Sequence, residues 1–192
     1  MLCTRFAVAC LTTGATLAAP ALAEPMAGTA AKKLLFAPVK AEVEILPEAG
    51  LPQDMADALV MVGEGQPYYG AVAIAPEEGL MSEATVAAAN FHDTGSAGVA
   101  VLAECNAKKK TASDCVLVAY IRPKGWAEAG FSLSSDATAA FKEYDMKTGA
   151  LAVSLSTGAF GMADGDGAAE AALANCAAKN DKATDCALVV QN

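Results

Sequence analysis

The chain has 192 residues, with 13 Lys+Arg against 22 Asp+Glu for a net charge of −9, one histidine, one tryptophan and six cysteines. So acidic a chain is repelled at long range by nucleic acid and by anionic lipid surfaces, which argues against both as partners and for solubility or cationic partners. Its length allows one compact unit or two small ones sharing a core.

Residues 1–23 read as a secretory signal: Arg5, an apolar run over 6–19, then Ala21-Leu22-Ala23 as a small-residue cleavage site. The run is broken by Thr12, Thr13, Gly14 and Pro20, and no later segment reaches the roughly 18–20 apolar residues of a span, so no membrane span is expected. Cys10 as a lipoprotein acceptor is disfavoured by Ala7, where a larger aliphatic residue is usual. Cleavage would leave 169 residues from Glu24, with 12 basic against 22 acidic residues and a net charge of −10. The expected location is periplasmic or secreted.

Four cysteines then remain, Cys105, Cys115, Cys176 and Cys186. An even number in an oxidising compartment predicts disulfides, one within each close pair. With one histidine and no Cys-x2-Cys pair, neither a zinc site nor thioredoxin-like redox chemistry fits, and no metal or cofactor is expected.

In chain order, 24–67 reads as an N-terminal α/β extension. Short strands at 34–36 and 42–46 and an amphipathic helix at 54–62 suggest a degenerate third copy of the unit that the rest of the chain carries twice. In the first repeat, 68–121, a β-rich run at 69–75 ends at Pro76, and Glu77-Glu78-Gly79 turns the chain into a weaker strand. A helix then runs from 95 or 96 to about 109, N-capped by Asp93, Thr94 or Ser96, and 115–121 is a buried-strand pattern. The connection 122–141 holds Pro123, Gly125 and Trp126, with another strand at 131–133. The second repeat, 142–192, has strands near 149–154, 158–162 and 186–190 and a helix near 167–179.

The duplication is direct: 97–118 and 168–189 agree at 12 of 22 positions without a gap, at an offset of 71. Upstream the offset becomes 79, where Gly70-Ala71-Val72-Ala73-Ile74 meets Gly149-Ala150-Leu151-Ala152-Val153. The first copy therefore carries about eight extra residues, placed near 83–90, and insertions of this kind lie in loops. The predicted fold class is α+β, built of duplicated β-β-α-β units with an antiparallel sheet, helices packed on it and one disulfide per unit. Lys108-Lys109-Lys110 and Lys179 near the helix ends suit the negative pole of the helix dipole.

These motifs resemble a family of exported bacterial modules, the domain-of-unknown-function 4189 family. The match rests on Tyr69-Gly70-Ala71-Val72-Ala73, Gly79, Cys105 and Cys115-Val116-Leu117-Val118, and on Gly149-Ala150-Leu151-Ala152, Gly158, Cys176 and Cys186-Ala187-Leu188-Val189. It covers most of 68–191; the first-copy insertion and the scarcity of tryptophan depart from it. The resemblance implies no activity and no catalytic residues. The chain is also similar to alphaproteobacterial proteins that bear the label 5-aminolevulinate synthase. That pyridoxal-phosphate enzyme is a much larger cytosolic protein, and this chain is too short for its fold and Schiff-base site.

Candidate chemistry is sparse. His92 beside Asp93, with Ser96 nearby, offers a general base or ligand, whereas the second copy has Ala163-Asp164 there. No Gly-x-Ser-x-Gly elbow is present. Asp164-Gly165-Asp166-Gly167 with Glu170 has alternate carboxylates as in a calcium loop, but reads better as a turn and N-cap. Glu77, Glu78 and Glu83 are carboxylates near a hairpin turn, and Tyr68, Tyr69 and Trp126 are candidates to line a pocket, though aromatics at a strand start and in a linker also pack cores. Three functions remain: a non-catalytic module binding a protein or small ligand, which is favoured; a small hydrolase using His92 and nearby carboxylates; and an inhibitor or envelope-stress partner presenting the insertion.

Overall fold

The computed structural model describes residues 24–36, 40–47 and 50–192; the expected export segment 1–23 lies outside them. In chain order the elements are α1 (Gly28–Leu34), β1 (Ala41–Ile45), α2 (Gln53–Gly63), β2 (Gly70–Ile74), β3 (Val86–Ala88), α3 (Thr94–Lys108), β4 (Val116–Pro123), α4 (Ser135–Ala140), β5 (Ala150–Val153), β6 (Phe160–Ala163), α5 (Ala168–Lys179) and β7 (Ala187–Gln191). A 3-10 turn, Phe141–Glu143, follows α4.

Every residue of β2 and of β5 is buried. Since successive side chains leave a strand on opposite faces, both faces of each sheet need a cover. In the first copy the strand order is β1-β4-β2-β3, all antiparallel. α3 sets Ala97, Val101 and Cys105 on Ala71 and Ala73. The opposite face, with Val72, Ile74 and Val118, is covered by Leu59 of α2 and by Leu51.

The second copy repeats this with order β6-β5-β7. α5 lays Ala168, Ala172 and Cys176 on Ala150 and Ala152. Leu151, Val153 and Val190 face away from it, toward Ala31 of α1, Leu133, Ala137 of α4, Phe141 and Tyr144. Alanine dominates both helix–sheet contacts because the layers sit close: a Cβ added to Gly161 would come within 2.3 Å of the Ala172 carbonyl oxygen and the Cys176 amide nitrogen.

The duplication reaches fine detail. A register shift falls between Val72 and Ala73 in one sheet and between Leu151 and Ala152 in the other, leaving Val118 and Val189 as the extra residues of the bulged strands. Cys105 is bonded to Cys115 and Cys176 to Cys186, each with Cα atoms 6.1 Å apart. Each bridge joins the last turn of a helix to the residue before the returning strand, as the repeat predicts.

In both copies the connection between the first two strands is tied to the disulfide loop, with the polarity exchanged. In the first, Glu78 accepts from the amides of Lys110 and Thr111 at 2.6 and 3.0 Å, and Glu77 from the Ser113 hydroxyl. In the second, hydroxyls of Ser154 and Ser156 donate to Asp185 at 2.5 and 2.7 Å. The lysine cluster serves this loop more than the helix end: Lys109 Nζ donates to the Ser113 carbonyl at 2.7 Å and Lys110 Nζ to Glu83 at 3.1 Å.

Three local expectations need correction. The extension makes no third copy among the described residues: its one strand, β1, joins the first sheet along β4, while α1 lies on the second. Residues 34–36 are not a strand, because Leu34 ends a helix begun in an Ala-Lys stretch. Nor are 131–133; Ser134 instead starts α4, its hydroxyl accepting from the Ala137 amide at 3.2 Å.

The eight extra residues are also divided. Ala73 pairs with Val86 thirteen residues on, whereas Ala152 pairs with Gly161 nine on; Ala88 precedes Ala97 by nine residues, and Ala163 precedes Ala168 by five. Four therefore lengthen the β2–β3 connection, and four lie between β3 and α3, around His92.

Each bridge closes a loop with a sequence separation of 10. Replacing Cys176 and Cys186 together by Ala should cost roughly 2.5–3 kcal/mol in the chain-entropy account, read as a lowered midpoint in urea unfolding under oxidising conditions.

Candidate functional site

The four residues added before α3 allow the chain to leave β3, cross toward the second copy and return. Asn90 takes a left-handed backbone at φ 66°, a conformation asparagine tolerates. Its side chain pairs reciprocally with Asp136 at the start of α4: Nδ2 donates to Oδ2 at 2.8 Å and Oδ1 accepts from the Asp136 amide at 3.1 Å. The Phe91 amide donates to the Tyr69 carbonyl at 2.9 Å. Asp93 then N-caps α3, accepting from the Ser96 amide at 2.7 Å and the Ser96 hydroxyl at 2.8 Å, as expected.

His92, 1% exposed, sits between the copies. Its Nδ1 is 3.1 Å from the Ser134 amide nitrogen, a group that can only donate, so Nδ1 must be the unprotonated nitrogen. Nε2 then carries the hydrogen and donates to the Ala159 carbonyl in the β5–β6 turn at 3.1 Å. That carbonyl also accepts from the Ser154 amide at 2.8 Å, which uses both its lone pairs. The Ser132 hydroxyl donates to the His92 carbonyl at 2.6 Å.

One neutral imidazole thus fastens the first copy, the connection and the second copy. Burial holds its pKa below the ordinary 6.5, outweighing the opposing pull of the Ala159 hydrogen bond and of the Asp93 and Asp185 carboxylates. A general base needs a free nitrogen facing substrate, and both nitrogens of this ring are bonded to backbone. The directly bonded Ser154–Asp185 pair has no imidazole between its members, so it does not form a triad.

Of the residues singled out by sequence, Tyr69, Asp93 and Trp126 come together. With Thr94, Gly95, Glu128, Ala129 and Ser132 they line a cleft of about 340 Å³ at the start of α3. Tyr69 forms its inner wall: it is 3% exposed, its hydroxyl shares hydrogen bonds with Trp126 and Ser132, and burial pushes its pKa up to about 12, so it stays a neutral phenol. Trp126 is half-buried, its ring carrying the Arg122 guanidinium 4.0 Å from its centroid. Arg122 is itself paired with Glu44. The charged side chains lining the cleft are two carboxylates, Asp93 and Glu128.

The other candidates lie elsewhere. Tyr68 is a core residue, its hydroxyl donating to the Phe36 carbonyl at 3.1 Å and its own carbonyl accepting from the Ser135 amide at 3.1 Å. Glu83 pairs with Lys110 on an exposed surface. The Asp164–Gly167 stretch is turned by Gly165 and Gly167 at φ 76° and 75°, and α5 has Gly167 as its N-cap with no side-chain cap. The expected aspartate cap is therefore not made, because glycines in left-handed geometry already turn the chain. Among the described residues, no group of three or more His, Cys, Asp or Glu side chains could hold a metal ion, and no helix is long and apolar enough to cross a membrane.

Sequence reasoning missed Ser132 and Glu128 as lining residues and Ser134 as the histidine's partner. All three lie in the connection, where no periodicity marks them. No protein-family model, curated protein or solved structure matches this chain.

Two predictions concern the joint. An added Cβ at Gly158, whose φ is +73°, would lie 2.4 Å from the Asn90 carbonyl oxygen. Gly158→Ala should therefore cost 2 kcal/mol or more, about 1 from the backbone geometry and the rest from displaced joint backbone, measured by urea unfolding. The second is a pH dependence. The unfolded chain takes up a proton near pH 6.5 and the folded chain does not until its depressed pKa, so the stability due to His92 is complete above 6.5 and drains away below it. The loss should approach about 1.4 kcal/mol per pH unit within that window, and His92→Gln should flatten it.

Proposed function

We propose that the chain is an exported, non-catalytic binding module, related to the family of disulfide-bonded envelope modules that its motifs resemble, and that the Tyr69–Asp93–Trp126 cleft receives a cationic group such as an amine or guanidinium. The supporting observation is the lining itself: an aromatic wall and two carboxylates, with no lysine or arginine among the lining residues. A cation gains from the negative faces of aromatic rings, by about 0.5–2 kcal/mol depending on desolvation, and from charge-assisted hydrogen bonds to carboxylates. Trp126 already holds the chain's own Arg122 in this way. The surplus of acidic over basic residues draws cations toward the surface. Two disulfides suit an oxidising compartment and the export signal read at 1–23.

A hydrolase built on His92 finds no support in a buried ring bonded to backbone on both sides. Small cations in so limited a cleft should bind weakly, with Kd on the order of 10–1000 μM.

Trp126 is the sole tryptophan of the chain and lines the cleft, so its fluorescence arises from a single ring at that site. Titration with Nα-acetyl-arginine methylamide or putrescine should give a saturable change, weakened about tenfold by Glu128→Gln and by Asp93→Asn, the latter keeping an oxygen for the cap. The citrulline analogue, which is neutral and of the same shape, should give none. A response equal for the citrulline and arginine probes would remove the cationic ligand, and no response to any probe would remove the cleft.

A further inference from the structure

The residues that wall the cleft on its outer side belong to the connection between the copies, and His92 holds that connection by two bonds: the Ser134 amide to Nδ1 at 3.1 Å and the Ser132 hydroxyl to its carbonyl at 2.6 Å. Ser132 lines the cleft, together with Trp126, Glu128 and Ala129 from the same segment. We propose that His92 is an acid-sensitive latch on the cleft, its protonation loosening the cleft-lining stretch from Trp126 to Ser132 ahead of the buried Leu133 and releasing whatever the cleft holds. As regulation of a ligand this rests on the cleft reading above; as movement of the segment it stands on the joint alone.

The device follows from the ring's two different partners. Nδ1 accepts from an amide N–H, so a proton added there places a second N–H against the first, and the hydrogen bond becomes a repulsion. On the other side the Nε2–H keeps the Ala159 carbonyl in either state. Protonation therefore breaks the ring's bond to the Ser134 amide, leaving the connection only the Ser132 hydroxyl on the His92 carbonyl, while the Nε2–H still bonds the first copy to the second. The break is directional, and it falls on the segment that carries the cleft wall.

The groups around the ring set how hard the latch is to open. From its own loop Asp93 favours the imidazolium, and so does Asp185 from the disulfide loop of the second copy; Asp185 is bonded to Ser154 and Ser156. From α4, Asp136 is paired with Asn90. From the β5–β6 turn come the backbones of Gly158 and Ala159. No basic side chain is among the charged groups that act on the ring. Burial, which disfavours the charged ring, is opposed by two carboxylates, an arrangement that permits protonation while the fold persists.

Each half of the test has its own reporter, because the chain has one histidine and one tryptophan. The ring C–H resonances of His92 and the emission of Trp126 are followed in the full mature chain from pH 7.5 to 5.5, with dispersion of the amide spectrum as the check on global fold. Both should move with one midpoint below 6.5, and the affinity for Nα-acetyl-arginine methylamide should fall in step, by about tenfold for each unit separating the bound and free midpoints. In His92→Gln, Trp126 emission and affinity should be flat over that range.

Titration of His92 without change at Trp126 would overturn the latch. So would an unchanged Trp126 response in His92→Gln, or a ring that stays neutral until the whole chain unfolds. Should the wild type bind no cation at pH 7.5, the cleft reading fails by itself and the latch is judged on the Trp126 response.

Discussion

The joint of this chain is built on a buried imidazole that is neutral when all its bonds are made, with one nitrogen accepting and the other donating. An imidazolium cannot satisfy Ser134, whose amide is a donor, and an apolar side chain could satisfy neither Ser134 nor Ala159. An unpaired amide at a buried site costs about 1–3 kcal/mol, so the neutral ring at position 92 determines the order of three segments. The other contacts of the joint are arranged around it. Asn90 clasps Asp136, Ser135 donates to Tyr68, and Gly158 comes so near Asn90 that no side chain fits.

Two copies of one unit need such a joint because their sheets remain separate. The strands of the first copy hydrogen-bond among themselves and with β1, and those of the second among themselves. The N-terminal extension is the second means of holding them, since it contributes to both. Met26 bridges the outer edge of β7 and α1 covers the second sheet, while β1 pairs with β4 and α2 covers the first. The outer side of β4 is thereby paired, with β1 becoming the edge of the first sheet, and the outer side of β7 is bridged at Val190. Within each copy the tie between hairpin and disulfide loop has survived an exchange of its chemistry, carboxylate to hydroxyl in one and hydroxyl to carboxylate in the other. The hydrogen bond is kept although the residues are not, which points to the fixing of one loop on the other as the constraint.

Much of this fold could be read beforehand, and the readable part has a common character. Strand–helix–strand order, the disulfide pairs and the Asp93 cap are local or repeated, so each leaves its signal twice or within a few residues. The extension misled because β1 has no sheet of its own; whether it founds a copy or joins one depends on the free edge of β4, more than seventy residues away. The stretch 131–133 misled because Leu133 is apolar enough for a strand, yet is buried against Phe141 and Leu151 just ahead of a serine-capped helix. His92 stands out in the sequence as a lone histidine beside an acid, read there as a candidate general base or ligand. Its partners are backbone groups of Ser134 and Ala159, and a backbone partner leaves no mark on residue type.

The duplication also explains why a cleft should occur where it does. The position of Tyr69 at the start of β2 corresponds, at the offset of 79, to Thr148 before β5. A second recess of similar size, about 340 Å³, does lie there at the start of α5, lined by Lys147, Thr148, Asp166 and Glu170 among others. Two hollows thus come from one ancestral junction of strand and helix, but they differ in kind. The first has an aromatic wall, and the charged groups lining it are both anionic; the second has no aromatic lining residue, and the Lys147 ammonium stands among its carboxylates. A cation entering the second would meet a like charge and no ring face. The difference between the two recesses comes from Tyr69, Trp126 and the four residues that bring His92 across to the connection, so the insertion that binds the copies together is also what makes them unequal.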